Sequence, residues 1–174
     1  MDHLAQIAGQ LKLLALDVDG VLTDGRITYC SAGTETKAFN SKDGLGIKLL
    51  QAAGIEVAII TGRQSAMVDR RAAELGITQV IQGRDDKLVA LNALLSQLDI
   101  QPEHTAYMGD DLPDLSAIQH VGLGCCPADA VNDVRAHADW VAINRGGDGA
   151  VRELAEQLLR SRDQWALLTE KFFT

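Results

Sequence analysis

Leu13-Leu14-Ala15-Leu16-Asp17-Val18-Asp19-Gly20-Val21-Leu22-Thr23-Asp24 is the stretch around which the rest of the chain is read. An apolar run of strand character ends on a carboxylate, and a second carboxylate follows two residues later. Gly20 then lets the backbone turn away. Period two places Asp17 and Asp19 on one side for as long as the chain stays extended. Paired acids at the end of a buried strand are costly unless a cation or a shared proton neutralises them. Open α/β sheets build their sites at such strand ends. Asp17 therefore reads as a nucleophile that the remaining chain must equip.

Outward from this stretch the chain alternates between strand and helix signals. Before it, Leu4, Ile7 and Ala8 mark a short helix. After it, residues 26–30 and 35–39 read as two strands of a hairpin around Ser31-Ala32-Gly33-Thr34. Leu45, Leu49, Leu50 and Ala53 give a helix face that Gly54 stops. Glu56–Ile60 is a buried strand ending at Thr61-Gly62-Arg63, and Ser65 caps the helix that follows. Gln79–Gln82 is a short strand, and Asp85 or Asp86 caps a long helix carrying Leu88, Leu91, Leu94, Leu95 and Leu98. Thr105–Met108 is a strand ending in Gly109-Asp110-Asp111. A short helix over 114–120, strands at 121–125 and 140–142 and a helix between these strands follow. After Gly146-Gly147-Asp148-Gly149 a closing helix begins. Alternation of this kind predicts right-handed βαβ units, hence a doubly wound, Rossmann-like three-layer α/β sandwich with a parallel sheet.

Composition narrows the classes. The chain has 174 residues and is 47% hydrophobic, which suits one domain over 1–174. The hairpin is an insertion at about 24–40, and a helical tail occupies about 150–174. The net charge of −8 argues against non-specific binding of nucleic acid. No uninterrupted apolar run is long enough for a membrane span, and no signal-peptide pattern opens the chain. Three cysteines without a C-x-x-C spacing fit a reducing cytoplasm. Cys125 and Cys126 read as small apolar residues closing a strand. Trp165, Leu168 and Phe172 lie at helical spacing, so the tail is expected to dock on its own subunit or another.

In a parallel sheet the carboxyl ends of all strands share one edge, so Asp17, Asp19, Thr61, Arg63, Asp110 and Asp111 converge, with Lys87 at the start of the long helix. Taken singly, each is more often a cap, a turn residue or a solvated lysine. An ordered set at successive strand ends instead fits phosphoryl transfer through an aspartyl-phosphate. Asp17 attacks phosphorus. A carboxylate and a phosphate dianion repel, so a divalent cation must bridge them. Mg²⁺ takes one or two carboxylates and keeps several waters. Asp17 and Asp110 supply carboxylates, and Asp19 its main-chain carbonyl. The Asp19 side chain then protonates the leaving alcohol and activates water, helped by negative charge expected around it. Asp111 and Asp114 stand behind the metal and its waters. Thr61 and Lys87 hold the transferring oxygens.

Asp17–Asp24, Thr61-Gly62-Arg63, Lys87 and Gly109-Asp110-Asp111-Leu112-Pro113-Asp114 resemble, in order and spacing, the four motifs of the haloacid dehalogenase superfamily of phosphohydrolases. The hairpin, Phe39-Asn40-Ser41-Lys42-Asp43-Gly44 and Gly146–Glu153 narrow the resemblance to the 3-deoxy-D-manno-octulosonate 8-phosphate phosphatase family. That resemblance implies a cytoplasmic, Mg²⁺-dependent enzyme of lipopolysaccharide synthesis. It implies a capless fold with a small β-hairpin flap and a homotetramer in which a neighbouring subunit and the C-terminal region help cover the site. It implies a sugar acid phosphate as substrate, contacted by Asp19, Asn40, Ser41, Lys42, Asp43, Gly44, Lys48, Arg63, Arg71 and Lys87. For Lys42 and Lys48 a solvated helix face is the plain alternative. A phosphatase for a nine-carbon sugar acid phosphate resembles the same pattern. A signalling receiver module uses a similar kit, but its acidic pair precedes the phosphorylated Asp, whereas here it follows. A phosphomutase needs a cap, and a binding-only descendant would lack Asp17 or Asp19.

Overall fold

The computed structural model describes residues 3–31, 33 and 35–173. Its strands are β1 (Leu13–Leu16), β2 (Thr28–Tyr29), β3 (Glu35–Thr36), β4 (Glu56–Ile60), β5 (Gln79–Ile81), β6 (Thr105–Met108), β7 (Leu123–Cys126) and β8 (Trp140–Val141). Six of them form one parallel sheet in the order β5-β4-β1-β6-β7-β8, while β2 and β3 pair separately as an antiparallel hairpin. All four residues of β1 are buried. Leu14 and Leu16 join one apolar cluster, and Leu13 and Ala15 the other, so period two sends alternate side chains to opposite faces.

The helices are α1 (His3–Ala8), α2 (Ser41–Ala52), α3 (Ala66–Leu75), α4 (Lys87–Leu98), α5 (Leu115–Ile118), α6 (Asn132–His137), α7 (Ala150–Ser161) and α8 (Trp165–Thr169). Leu4, Ile47, Leu50, Val68, Leu154 and Leu158 bring α1, α2, α3 and α7 to the first face. Leu91, Leu94, Ile118 and Val134 bring α4, α5 and α6 to the second. This is the expected doubly wound sandwich. Successive strands run outward from β1 to β4 and β5, and the chain then crosses back to β6 on the other side of β1. The order therefore reverses between β1 and β6, the place where sheets of this kind leave a crevice at their carboxyl edge.

The structure corrects three local expectations. The hairpin strands are two residues each rather than five. Tyr29 is exposed, and a two-stranded ribbon this short is marginal in water. Ala32 and Thr34 of its loop lie outside the described residues. At the start of α4, Asp86 occupies the capping position but makes no cap bond. Its carboxylate is taken by Arg84, at 2.6 Å from Nε and 2.8 Å from Nη2. In the tail, Trp165 and Leu168 do pack against the first apolar cluster, with Arg152 and Arg160 over the Trp165 ring at 5.3 and 4.9 Å. Phe172, expected on the same face, is exposed together with Phe173. Cys125 and Cys126 are buried in β7, as expected of small residues closing a strand. No helix among the described residues is long and apolar enough to cross a membrane.

Candidate active site

At the carboxyl edge of the sheet lies a cavity of about 520 Å³, lined among others by Asp17, Asp19, Thr61, Arg63, Lys87, Asp110 and Asp114. Strand geometry puts them there. Asp17 directly follows β1, and its N–H still donates to the Met108 carbonyl at 3.0 Å, so the ladder with β6 holds the nucleophile's backbone. Thr61 follows β4 and is anchored the same way, through its N–H to the Ile81 carbonyl at 2.9 Å. Lys87 is the first residue of α4, and its stem is buried. Its Nζ lies 2.9 Å from Asp17 Oδ2 and 2.6 Å from Asp114 Oδ1.

Asp114 is fully buried and fully engaged. Oδ1 accepts from Lys87 Nζ and from the Tyr107 hydroxyl at 2.7 Å. Oδ2 accepts from the N–H groups of Asp110 and Asp111 at 3.1 and 3.2 Å. A buried carboxylate satisfied on both oxygens is held in one orientation. Asp114 thus ties α4, β6 and the loop after β6 into one unit. Asp111, expected to hold metal waters, has one oxygen taken by local structure: Oδ1 accepts the Leu112 N–H at 2.8 Å and caps the short turn that leads to Asp114.

The cluster is short of positive charge. Burial pushes the Asp17 carboxyl up to about 6, with Asp114 adding to the shift and Lys87 opposing it. Burial likewise pushes Asp110 up to about 7, and the charges of Asp17 and Asp114 add to it. For Lys87, burial favours the neutral amine, but Asp17 and Asp114 outweigh it and its pKa rises. Burial, then Asp114, drives the Tyr107 hydroxyl far above the usual phenol range, so it stays a donor. One oxygen each from Asp17, Asp110 and Asp114 lie within 4.8 Å of one another. Among the described residues Asp110 Oδ1 is buried without a hydrogen-bond partner. A Cβ on Gly20 would stand 2.0 Å from Asp110 Oδ2, so only glycine lets the acidic loop lie against that carboxylate. An orphaned oxygen among hard carboxylate donors fits a divalent cation of the Mg²⁺ type. Asp17 and Asp110 would hold it, while Asp114, already saturated, keeps them in place.

Asp19 departs from expectation. Its side chain is half-buried, and its immediate partners are cations rather than acids. Lys37 of the hairpin forms an ion pair with Oδ1, and Arg63 Nε lies 3.7 Å from Oδ2. Glu35 completes the group, 3.4 Å from Lys37 Nζ and 3.2 Å from Arg63 Nη2. Burial alone would raise the Glu35 pKa, but Lys37 and Arg63 bring it below its usual value. Sequence reading missed Lys37, Glu35 and Tyr107. Glu35 and Lys37 stand two apart on an extended segment, a spacing that places both on one face and was a signal for the first two.

The other expected contacts do not line the cavity. Ser41, Lys42 and Lys48 are exposed on α2. Asn40 caps α2 through the Lys42 N–H at 2.8 Å. Asp43 is buried and accepts the Arg152 N–H of α7 at 2.8 Å. Arg71 lies across the start of α2, with Nη2 3.2 Å from the Asn40 carbonyl and its guanidinium 5.8 Å from the Phe39 ring centre. Gly44 makes room for it, because a Cβ there would stand 2.4 Å from Arg71 Nη2.

A buried aspartate on a lysine, at the reversal point of a parallel sheet, is the arrangement of an aspartyl-phosphate phosphohydrolase. The family model of haloacid dehalogenase-like hydrolases matches residues 76–154. A 3-deoxy-D-manno-octulosonate 8-phosphate phosphatase of Yersinia pestis is 46% identical over 163 residues, covering 94% of this chain and 87% of that protein. The crystal structure of the Moraxella catarrhalis phosphatase of the same name, in complex with magnesium ion, phosphate ion and a KDO molecule, has a TM-score of 0.96. It is 50% identical, with 99% of each chain covered. A cobalt-bound Haemophilus influenzae counterpart has a TM-score of 0.91 at 39% identity, covering 97% of this chain and 99% of that one. The chain belongs to the 3-deoxy-D-manno-octulosonate 8-phosphate phosphatase family.

Proposed function

We propose that the protein hydrolyses 3-deoxy-D-manno-octulosonate 8-phosphate to 3-deoxy-D-manno-octulosonate and phosphate, in lipopolysaccharide synthesis. The observation that carries the reading is the buried Asp17, paired with Lys87 beside the unpartnered Asp110 oxygen. An Asp17 oxygen attacks phosphorus, and the bond to the sugar oxygen breaks as Asp19, which must enter the step protonated, gives that oxygen its proton and is left as the carboxylate. Asp19 then takes a proton from water, which attacks the aspartyl-phosphate and frees phosphate with Asp17 restored. Mg²⁺, held by Asp17, Asp110 and the Asp19 carbonyl, supplies the positive charge that lets a carboxylate approach a phosphate dianion. Thr61 and Lys87 bind the transferring oxygens. Lys37 and Arg63 hold the Asp19 carboxylate at the cavity wall, and Arg63 is the cavity cation best placed for the substrate's own carboxylate.

The chain acts as one unit without a cap domain. Between the motif residues the insertion is the β2–β3 hairpin, which leaves the cavity open. We place the enzyme as a cytoplasmic homotetramer, in which a neighbouring subunit covers the cavity and excludes water. The exposed Tyr29, Leu167, Phe172 and Phe173 suit such burial, and the buried thiols of Cys125 and Cys126 suit a reducing compartment. The test is phosphate release from a panel of eight- and nine-carbon sugar acid phosphates, with Mg²⁺ and with excess chelator. The expected result is strong preference for the eight-carbon substrate and none of this turnover in chelator. Preference for a nine-carbon substrate, or full activity in chelator, overturns it.

A further inference from the structure

Tyr107 takes no direct part in the chemistry above, yet it reaches the pocket from the apolar face beneath it. In β6 it lies between Ala15 of β1 and Gly124 of β7, both small. Period two turns its side chain to the second apolar face, with Leu91 and Ile118. It is among the largest of the fully buried side chains. Phenylalanine fills such a place without cost, whereas a buried hydroxyl costs free energy unless it finds a partner. The partner is Asp114. The Tyr107 hydroxyl donates to Oδ1 at 2.7 Å, the same oxygen that Lys87 Nζ approaches at 2.6 Å.

The shared oxygen limits what Asp114 takes from Lys87. A carboxylate oxygen offers about two acceptor sites, and an ammonium has three donors. On Oδ1 one site goes to Lys87 and the other to Tyr107. Oδ2 is occupied by the N–H groups of Asp110 and Asp111. The carboxyl group also lies hard against the strand end, where a Cβ on Gly109 would stand 2.3 Å from its Cγ. Asp114 therefore takes one donor from Lys87. Nζ keeps the others for Asp17 Oδ2, at 2.9 Å, and for a phosphoryl oxygen. Without the phenol, the open site on Oδ1 attracts a second Nζ donor and draws the ammonium toward Asp114.

We propose that Tyr107 is a positioning residue for phosphoryl transfer. By filling the second site on Asp114 Oδ1, it holds Lys87 to a single bond there and keeps the ammonium aimed at Asp17 and the transferring group. The proposal rests on the phosphatase reading. Tyr107→Phe keeps the ring and removes the donor alone. Its expected effects are about a tenfold fall in kcat, with KM for the sugar acid phosphate within about twofold. Orthovanadate takes the five-coordinate shape of the transferring phosphoryl group, and it is expected to bind the Mg²⁺-loaded variant about tenfold more weakly by calorimetry. A general loosening of the pocket would lower Mg²⁺ affinity through Asp110, whereas here that affinity is expected to stay within about twofold. A loss of Mg²⁺ affinity that matches the fall in kcat places the effect on Asp110 rather than Lys87 and overturns the proposal. Unchanged kcat with unchanged orthovanadate affinity makes the phenol a stability device only, and also overturns it. If the unaltered enzyme hydrolyses none of the sugar acid phosphates, the substrate reading fails, while orthovanadate binding still decides the role of Tyr107.

Discussion

The acid pocket and the hairpin above it are built to opposite standards. In the pocket, Asp114 takes four donors while fully buried, and Lys87 spans two carboxylates from a buried stem. In the hairpin, each strand is two residues long and Tyr29 is exposed. Both regions carry charged groups to the same cavity, since Lys37 reaches Asp19 from the hairpin. The difference teaches where one chain suffices. Groups that handle phosphorus are held by the sheet and need no help. The group that reaches Asp19 sits on a ribbon of two short strands with little of its own to hold it.

That contrast can be broken at several points. Asp17→Ala is expected to lower kcat by about 10⁴-fold or more with the fold intact by circular dichroism, because Asp114, the other carboxylate on Lys87, is taken up by its four donors. Residual turnover close to the unaltered enzyme would move the nucleophile elsewhere. Asp19→Asn is expected to lower turnover by about 10²- to 10⁴-fold, with Mg²⁺ affinity kept, since the main-chain carbonyl remains. Calorimetry beside a rate assay separates the two roles. Lys37→Ala should cost about tenfold in kcat/KM, below the roughly 10²- to 10³-fold typical of a preorganised donor, because the hairpin is loosely held. A loss as large as that for Asp19→Asn would show the hairpin to be as rigid as the pocket.

Thermal melts test the electrostatics of the pocket. Burial raises Asp17 and Asp110 to about 6 and about 7, so above the ordinary aspartate value of 3.8 the folded protein binds more protons than the unfolded chain. Their contribution to stability therefore falls as pH rises toward 7 in metal-free protein. Mg²⁺ replaces those protons, so its stabilisation is expected to be larger at pH 8 than at pH 5. At Mg²⁺ near 100 times its Kd, it amounts to about 2.7 kcal/mol, or roughly 5–10 °C in Tm. An equal shift at both pH values would remove the two carboxylates from the metal site. The smallest effect belongs to Tyr107→Phe, which removes one donor from Asp114: about 1 kcal/mol, or roughly 2–4 °C in Tm.

The same contrast explains what was legible in the sequence. The sheet was readable because each buried strand ends abruptly on polar residues: Leu16 before Asp17, Ile60 before Thr61, Met108 before Gly109-Asp110. Parallel topology then forces those ends together, so Asp17, Thr61, Arg63, Lys87 and Asp110 were placed by logic that needs no contact map. Side-chain partnerships were harder. Asp86 and Asp111 were open to several partners, and Arg84 and the Leu112 N–H took them. The environment of Asp19 was misjudged because its neighbours come from the hairpin and from Arg63, and sequence position alone does not reveal how a ribbon folds back. Asn40, Asp43 and Arg71 sit near the cavity in sequence logic, yet their bonds run to α7 and to the start of α2.

The placement of β1 between β4 and β6 has a consequence for how the molecule is made. Leu13 pairs with Glu56 on one side and with Thr105 on the other. As the chain leaves the ribosome, β1 gains its first neighbour early but waits until more than half the sequence has emerged for its second. During that interval one edge of the most apolar strand stands open, a template for wrong pairing with another nascent chain. Asp17 has no ladder to β6 and no Asp110 beside it until then. Chains interrupted before β6 should be the aggregation-prone species in the cell, and the nucleophile becomes competent only when the sheet closes over the strand that carries it.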